Sequence, residues 1–160
     1  MNMKNLLLSF GLFALFATPV SAMEAQLTLY SEFQYFEPTR TPSNCRLIKV
    51  GVGNNLPNFI NTPCYHQKSS ITSTLEGPAG TMVTLFAKQT FGKEGGYIVV
   101  RKTDDKQVWL LDLTDFPDKQ WKTIEASADS GGYEVYFKSG PAFDTNVASL
   151  KWGQWWDALP

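Results

Sequence analysis

Met82-Val83-Thr84-Leu85-Phe86-Ala87-Lys88-Gln89-Thr90-Phe91-Gly92 is the stretch on which the fold turns. Its first half alternates with a period of two, as a strand with one face in a core must. An aromatic ends the run, and a second one, Phe91, follows five residues later. The same arrangement stands upstream in Leu27-Thr28-Leu29-Tyr30 with Tyr35, and a weaker copy in Glu134-Val135-Tyr136-Phe137 with Phe143. The offsets between copies are 56 and 51 residues. A period of about 50 residues, long enough for several strands, predicts supersecondary units stacked on a shared core.

Between the copies lie further short runs of the same kind: Leu47-Ile48-Lys49-Val50, Ser70-Ile71-Thr72-Ser73, Tyr97-Ile98-Val99-Val100 and Val108-Trp109-Leu110-Leu111. Turn signals separate them at Gly51-Val52-Gly53-Asn54-Asn55, Gly77-Pro78-Ala79-Gly80, Gly95-Gly96, Thr103-Asp104-Asp105 and Ser130-Gly131-Gly132. No window of a dozen residues keeps a 3.6 period. The expected class is all-β, a sandwich or an open barrel.

The order of strand, aromatic corner, second strand, loop and Ser-Ser-Ile strand resembles the Greek-key units of βγ-crystallins and their secreted microbial relatives. In unit one the corner is Leu29-Tyr30 with Tyr35, and Lys68-Ser69-Ser70-Ile71-Thr72 matches the closing strand. In unit two the corner is Leu85-Phe86 with Phe91-Gly92. There Asp115-Phe116-Pro117-Asp118-Lys119-Gln120-Trp121 resembles the linker before a closing strand at Lys122-Thr123-Ile124-Glu125. The resemblance covers residues 27–127. It implies a Greek-key sandwich of two crystallin-like units over residues 23–128, with residues 129–160 as a C-terminal, Trp-rich extension packed on that domain or lengthening it. The family's corner glycine is replaced by Glu37 and Lys93. Its paired calcium-binding Asn/Asp are replaced by Tyr65 and His66 in unit one, and by Asp118 and Lys119 in unit two. Calcium takes several hard oxygen ligands, so no metal and no cofactor is expected.

Residues 1–22 read as a secretory signal peptide. Lys4 is the positive end, residues 6–17 the apolar core, and Val20-Ser21-Ala22 the cleavage site. The run is too short to span about 30 Å of hydrocarbon, so no stable membrane insertion is expected and the protein is placed in the periplasm or outside the cell. In that oxidising setting Cys45 and Cys64 are expected to pair, closing a loop that contributes roughly 3 kcal/mol. Free buried thiols are the alternative.

Composition removes several functions. With 14 Lys+Arg against 15 Asp+Glu, the chain has no basic excess with which to hold a phosphate backbone. One histidine leaves no two-histidine metal site. His66 lies two residues from Cys64 without an evident orienting carboxylate, which suits a loop better than a catalytic pair. No Gly-x-Ser-x-Gly elbow occurs. Gly51-Val52-Gly53-Asn54-Asn55-Leu56 lacks the third glycine of a dinucleotide loop and reads as a turn. Asp104-Asp105 suits a solvated hairpin loop, and Asp112 with Asp115 a strand end and turn cap.

Three of the five tryptophans, Trp152, Trp155 and Trp156, stand within five positions near the C-terminus. Such a tail either covers the sheet or anchors a partner, because tryptophan buries a large area with little rotamer entropy. Trp152 is the ring expected to be structural, with Trp155 or Trp156 exposed. The function expected is that of a non-enzymatic protein that binds another protein, as a hydrolase inhibitor or a toxin-neutralising immunity protein. The alternatives are a calcium- or carbohydrate-binding module and, more remotely, a secreted hydrolase or toxin. The candidate contact residues are Trp155, Trp156, Asn54, Asn55, Asn58, Lys93 and Glu94, from the tail and the loops at 54–61 and 92–96. The oligomeric state is left open.

Overall fold

The computed structural model describes residues 24–30, 47–59, 72–111, 113, 115–141 and 147–153. The expected signal segment, Cys45, Cys64, His66, Asp112, Trp155 and Trp156 lie outside the described residues. In chain order the strands are β1 (Gln26–Tyr30), β2 (Leu47–Gly51), β3 (Thr72–Glu76), β4 (Met82–Phe86), β5 (Tyr97–Lys102), β6 (Val108–Leu110), β7 (Gln120–Ile124), β8 (Tyr133–Lys138) and β9 (Ser149–Trp152). Two short 3-10 turns, Gln89–Phe91 and Lys93–Gly95, separate β4 from β5.

The protein is all-β. One sheet has the order β2-β1-β3-β6 and the other β7-β8-β5-β4-β9, with every pair of neighbours antiparallel. Alternation decides which face each strand buries. In β8, Tyr133, Val135 and Phe137 are buried while Glu134, Tyr136 and Lys138 are half-exposed. Leu27, Val50, Leu75, Val108 and Leu110 of the first sheet join Val83, Leu85, Ile98, Val100, Val135, Leu150 and Trp152 of the second in one apolar cluster. The arrangement is therefore sandwich-like: two amphipathic sheets whose apolar faces close on each other.

β4 is buried along its whole length. Val83 and Leu85 belong to the shared core, whereas Phe86 does not and is fully buried even so. Its ring lies on the outer face, beneath other rings. Lys102, at the end of β5, is buried to the same degree. Its Nζ donates to the Leu75 carbonyl at 3.4 Å and to the Lys106 carbonyl, tying the second sheet to β3 of the first. Burial pushes this lysine below its usual range, and the carboxylates of Asp104, Asp105 and Glu76 partly oppose the shift.

The strands expected from alternation are present where the described residues cover them. The segment at 122–125, taken as the closing strand of unit two, falls on β7 at the far edge of the second sheet, beside β8 alone. The strand beside β4 is β9. Alternation marks a strand without marking its partner, and the segment at 122–125 was read as a closing strand from the resemblance alone. Within residues 129–160, β8 lies inside the second sheet and β9 at its edge beside β4.

Candidate binding surface

The corner after β4 carries two of the three non-glycine residues with positive φ among the described residues. Thr90 and Phe91 take positive φ of 53° and 61°, a region that side chains other than glycine's seldom adopt. Three hydrogen bonds hold them there. The Thr90 amide donates to the Pro57 carbonyl at 2.7 Å. The Phe91 amide donates to Ser149 Oγ at 3.1 Å, and that hydroxyl donates to the Lys88 carbonyl at 2.6 Å. Ser149 is wholly buried on β9, so the first residue of that strand locks the turn between two others. A side chain at Gly140 would overlap the Gly95 carbonyl, so the adjacent turn is closed by a backbone approach that admits only glycine.

The locked corner presents Phe91 to Phe86, ring centroids 5.8 Å apart. From there a run of rings crosses the outer face of the second sheet. Phe86 meets Tyr97 at 6.0 Å, Tyr97 meets Tyr136 at 6.1 Å, and Tyr136 meets Trp121 at 5.6 Å. All four spacings fall in the range of favourable ring pairs. The register makes the run: Trp121 is opposite Tyr136, Tyr136 opposite Val99, and Tyr97 opposite both Phe86 and Lys138. Phe86 is buried beneath the others, and Phe91, Tyr97, Tyr136 and Trp121 are half-buried. Burial pushes the Tyr97 phenol up, with Tyr136 adding to the shift.

Cations edge the run. Arg101 lies 5.6 Å from the Trp121 ring centroid, Lys138 5.7 Å from Tyr97 and Lys151 5.4 Å from Phe91, each within cation–π range. Arg101 also donates through Nε to Glu134 Oε2 at 2.6 Å and pairs with it through the guanidinium. Among the described residues Lys138 has no carboxylate partner.

The two loops named as contact candidates are brought together at the Pro57–Thr90 bond. Residues 56–59 run along β9, with Leu56 and Leu150 exchanging bonds of 3.0 and 2.8 Å and the Phe59 amide donating to the Ala148 carbonyl at 2.9 Å. Asn55 is engaged in the fold, since its side-chain carbonyl accepts from the Trp152 amide at 2.8 Å. Asn54, Lys93 and Glu94 are exposed and Asn58 is half-buried. Glu94 pairs with Lys88 at 3.1 Å, and its own backbone amide, together with Lys88, holds its carboxyl below the usual range. Trp152 is a core residue, 8% exposed.

Asp104 belongs to a different construction. Its carboxylate accepts from the Gly132 amide at 2.7 Å and the Lys106 amide at 2.9 Å, which lowers its pKa. Asp105 accepts from the Ala79 amide at 2.7 Å. These acids staple loops at one end of the sandwich. Among the described residues no three His, Cys, Asp or Glu side chains are placed to hold a metal ion, and no helix is long and apolar enough to cross a membrane.

Trp121, Tyr136, Tyr97, Arg101, Lys138 and Lys151 were not singled out as contacts by the sequence reading. The signal was the composition of alternate positions. Where β5 and β8 turn Tyr97, Arg101, Glu134, Tyr136 and Lys138 away from the core, a plain solvated face would carry small polar residues. Comparison of the chain with family models, with curated proteins and with solved structures finds no match.

Proposed function

We propose that the protein is a non-enzymatic periplasmic or secreted binding protein that acts on another protein, as a hydrolase inhibitor or a toxin-neutralising immunity protein. The observation that carries this reading is the five-ring run from Trp121 to Phe91, continuous with the loop pair at Pro57 and Thr90. Half-buried Trp, Tyr and Arg on a rigid sheet are the residue types that dominate protein interfaces. The rings cost little ordering entropy on binding because they already pack on one another. A glycan platform is less favoured, since Arg101, Lys138 and Lys151 already cover ring faces on which a sugar would stack.

The same proposal includes a crystallin-like double Greek key. In a Greek key the fourth strand returns beside the first. Here β3 returns beside β1, and β9 beside β4. The third strand of each unit lies in the other unit's sheet: β6 beside β3, and residues 56–59 against β9. On this reading β7 and β8 are a hairpin inserted before the closing strand, and Ser149 is the family's final serine in unit two. A signal peptide and a Cys45–Cys64 disulfide are parts of the same reading and rest on the sequence alone.

The test is crosslinking capture from envelope extract with the mature protein and a Trp121→Ala/Tyr136→Ala variant, each checked for folding by its melting curve. A discrete partner, identified and re-bound in purified form, should be lost from the variant. Equal capture by a folded variant would remove the ring face from the function.

A further inference from the structure

β7 is an edge strand held at both ends and open along its length. It pairs with β8 alone. Just before it the Asp118 carboxylate accepts from the Ser139 amide at 2.7 Å and from Ser139 Oγ at 2.8 Å, and the Lys119 amide donates to the Phe137 carbonyl at 2.6 Å. Beyond its end Lys106 Nζ donates to the Ser127 and Ala128 carbonyls, and the Ser127 amide donates to the Ser130 carbonyl at 2.8 Å. Between these ties, among the described residues, no hydrogen bond outside the β7–β8 ladder reaches the backbone of Gln120–Ile124. Two other edges are engaged. Residues 56–59 bond to β9, and on β6 the Trp109 amide donates to Ser130 Oγ at 2.9 Å. Gln120, Lys122 and Thr123 are exposed, and Trp121 and Ile124 half-buried. From this arrangement we infer that β7 takes an extended segment of the partner protein as an added antiparallel strand. That rests on the protein-binding reading and names the form in which the partner is held.

An open strand edge offers a row of amides and carbonyls that an extended chain can pair, with alternate side chains supplying the selectivity. The ties at both ends fix β7 beforehand, so little ordering is lost on this side of the contact. Trp121 brings the aromatic run to this edge, opposite Tyr136 and with Arg101 5.6 Å from its ring centroid. An added strand therefore sets every second side chain on the face of the rings, and an apolar one beside Trp121 lengthens the run. Lys122 decides between a foreign segment and a second copy. It is the middle residue of β7, opposite Val135, and its Nζ lies 6.0 Å from the Phe116 ring centroid. Two copies paired antiparallel about that residue would set Lys122 against Lys122, and like charges directly opposite each other are destabilising. Lysine on an edge strand guards against such self-pairing, whereas a foreign segment can place an acidic or neutral residue there.

A phage-displayed library of random linear peptides, panned on the purified mature protein, is the probe. Enriched peptides, made synthetically, should slow amide hydrogen exchange within Gln120–Ile124. N-methylation of alternate peptide amides should abolish their binding. Consecutive residues of an antiparallel strand point their amides in opposite directions, so of Lys122→Pro and Thr123→Pro one breaks the ladder to β8 and the other only blocks the edge. The variant that keeps its melting temperature should bind the peptides at least about tenfold more weakly. Failure to enrich any peptide would overturn the inference. So would peptides that bind while exchange in Gln120–Ile124 stays unchanged, a readout that needs no variant to fold. Sedimentation that shows the protein dimerising through β7 would give the edge to a second copy and overturn it as well. The protein-binding reading fails separately: if Trp121→Ala/Tyr136→Ala keeps its identified partner, that reading is lost. If that variant loses the partner while the folded proline variant keeps it, only strand addition is wrong.

Discussion

The two sheets are built from the same alternation and end with different outer faces. On the first, Tyr30 stacks on Trp109 with centroids 5.9 Å apart and planes 20° from parallel, and the Tyr30 hydroxyl lies 3.3 Å from Thr74 Oγ1. The Ser130 hydroxyl accepts the Trp109 amide at 2.9 Å, so a neighbouring loop joins the pair. On the second sheet the rings run from β7 to the β4–β5 corner and carry cations along their length. The difference teaches that aromatic and charged residues recurring across several strands in register build one continuous surface. The stack of Tyr30 on Trp109 joins β1 to β6 across β3.

The largest effect should separate core from face. Trp152→Ala, at a buried indole in the shared cluster, should destabilise the fold by about 3–5 kcal/mol in urea or guanidinium titration. Trp109→Ala, which removes one half of a partly exposed stack, should cost about 1–2 kcal/mol. Equal losses would mean that the first sheet's outer face is as much a core as the interior.

Next comes the corner. Ser149→Ala leaves the Phe91 amide and the Lys88 carbonyl without their hydroxyl partner and should cost about 1–3 kcal/mol. Thr72 is the residue opposite Tyr30, as Ser149 is opposite Phe86. Its hydroxyl reaches the Leu111 carbonyl only at 3.3 Å in an exposed setting, so Thr72→Val should stay within about 1 kcal/mol. A reversed order would show that the strain at Thr90 and Phe91 is supported elsewhere.

Lys102 joins the two sheets, and its effect is read through pH. Its folded pKa lies below the ordinary value of about 10.4. As pH falls past the ordinary value the unfolded chain takes its proton first, and stability drops until the lowered folded value is reached. Wild-type stability should therefore gain on Lys102→Met as pH is raised toward about 10.4. Near neutrality the variant should differ by about 1–2 kcal/mol, because it removes both a buried charge and two donor contacts. Parallel pH curves for the two proteins would show that burial does not perturb this lysine.

The smallest expected change is the sharpest contrast. Lys138→Glu should alter the unfolding free energy by no more than about 0.5 kcal/mol, as surface substitutions usually do. A loss above about 1 kcal/mol would make the lysine a structural brace of the outer face, since an exposed cation–π contact is worth only about 0.5–1 kcal/mol.

Much of the architecture was legible in the chain. Leu27-Thr28-Leu29-Tyr30, Met82-Val83-Thr84-Leu85-Phe86 and Tyr133-Glu134-Val135-Tyr136-Phe137 read as strands and are strands. The candidate site was legible only in fragments. Phe91 stood out as the second aromatic of a corner, and the loops at 54–61 and 92–96 stood out through their turn residues. Lys138 and Tyr136 looked like the ordinary polar side of β8. Ser149 gave no warning either, because a serine before a leucine near a chain end is unremarkable until the Lys88 carbonyl and the Phe91 amide are placed around it.

The sequence by itself determined that the chain forms short two-faced strands broken by turns, because alternation is local and needs no knowledge of neighbours. It also determined the near-neutral charge that argues against a nucleic-acid role. Only the tertiary structure decided that β9, and not the segment at 122–125, lies beside β4. Only it decided that Trp121, Tyr136, Tyr97, Phe86 and Phe91 form one run. Backbone ladders are chemically alike for any strand, so partner choice follows from how whole sheets bury their apolar faces together. Ring contacts across four strands depend on that register, and the register is a property of the assembled pair of sheets.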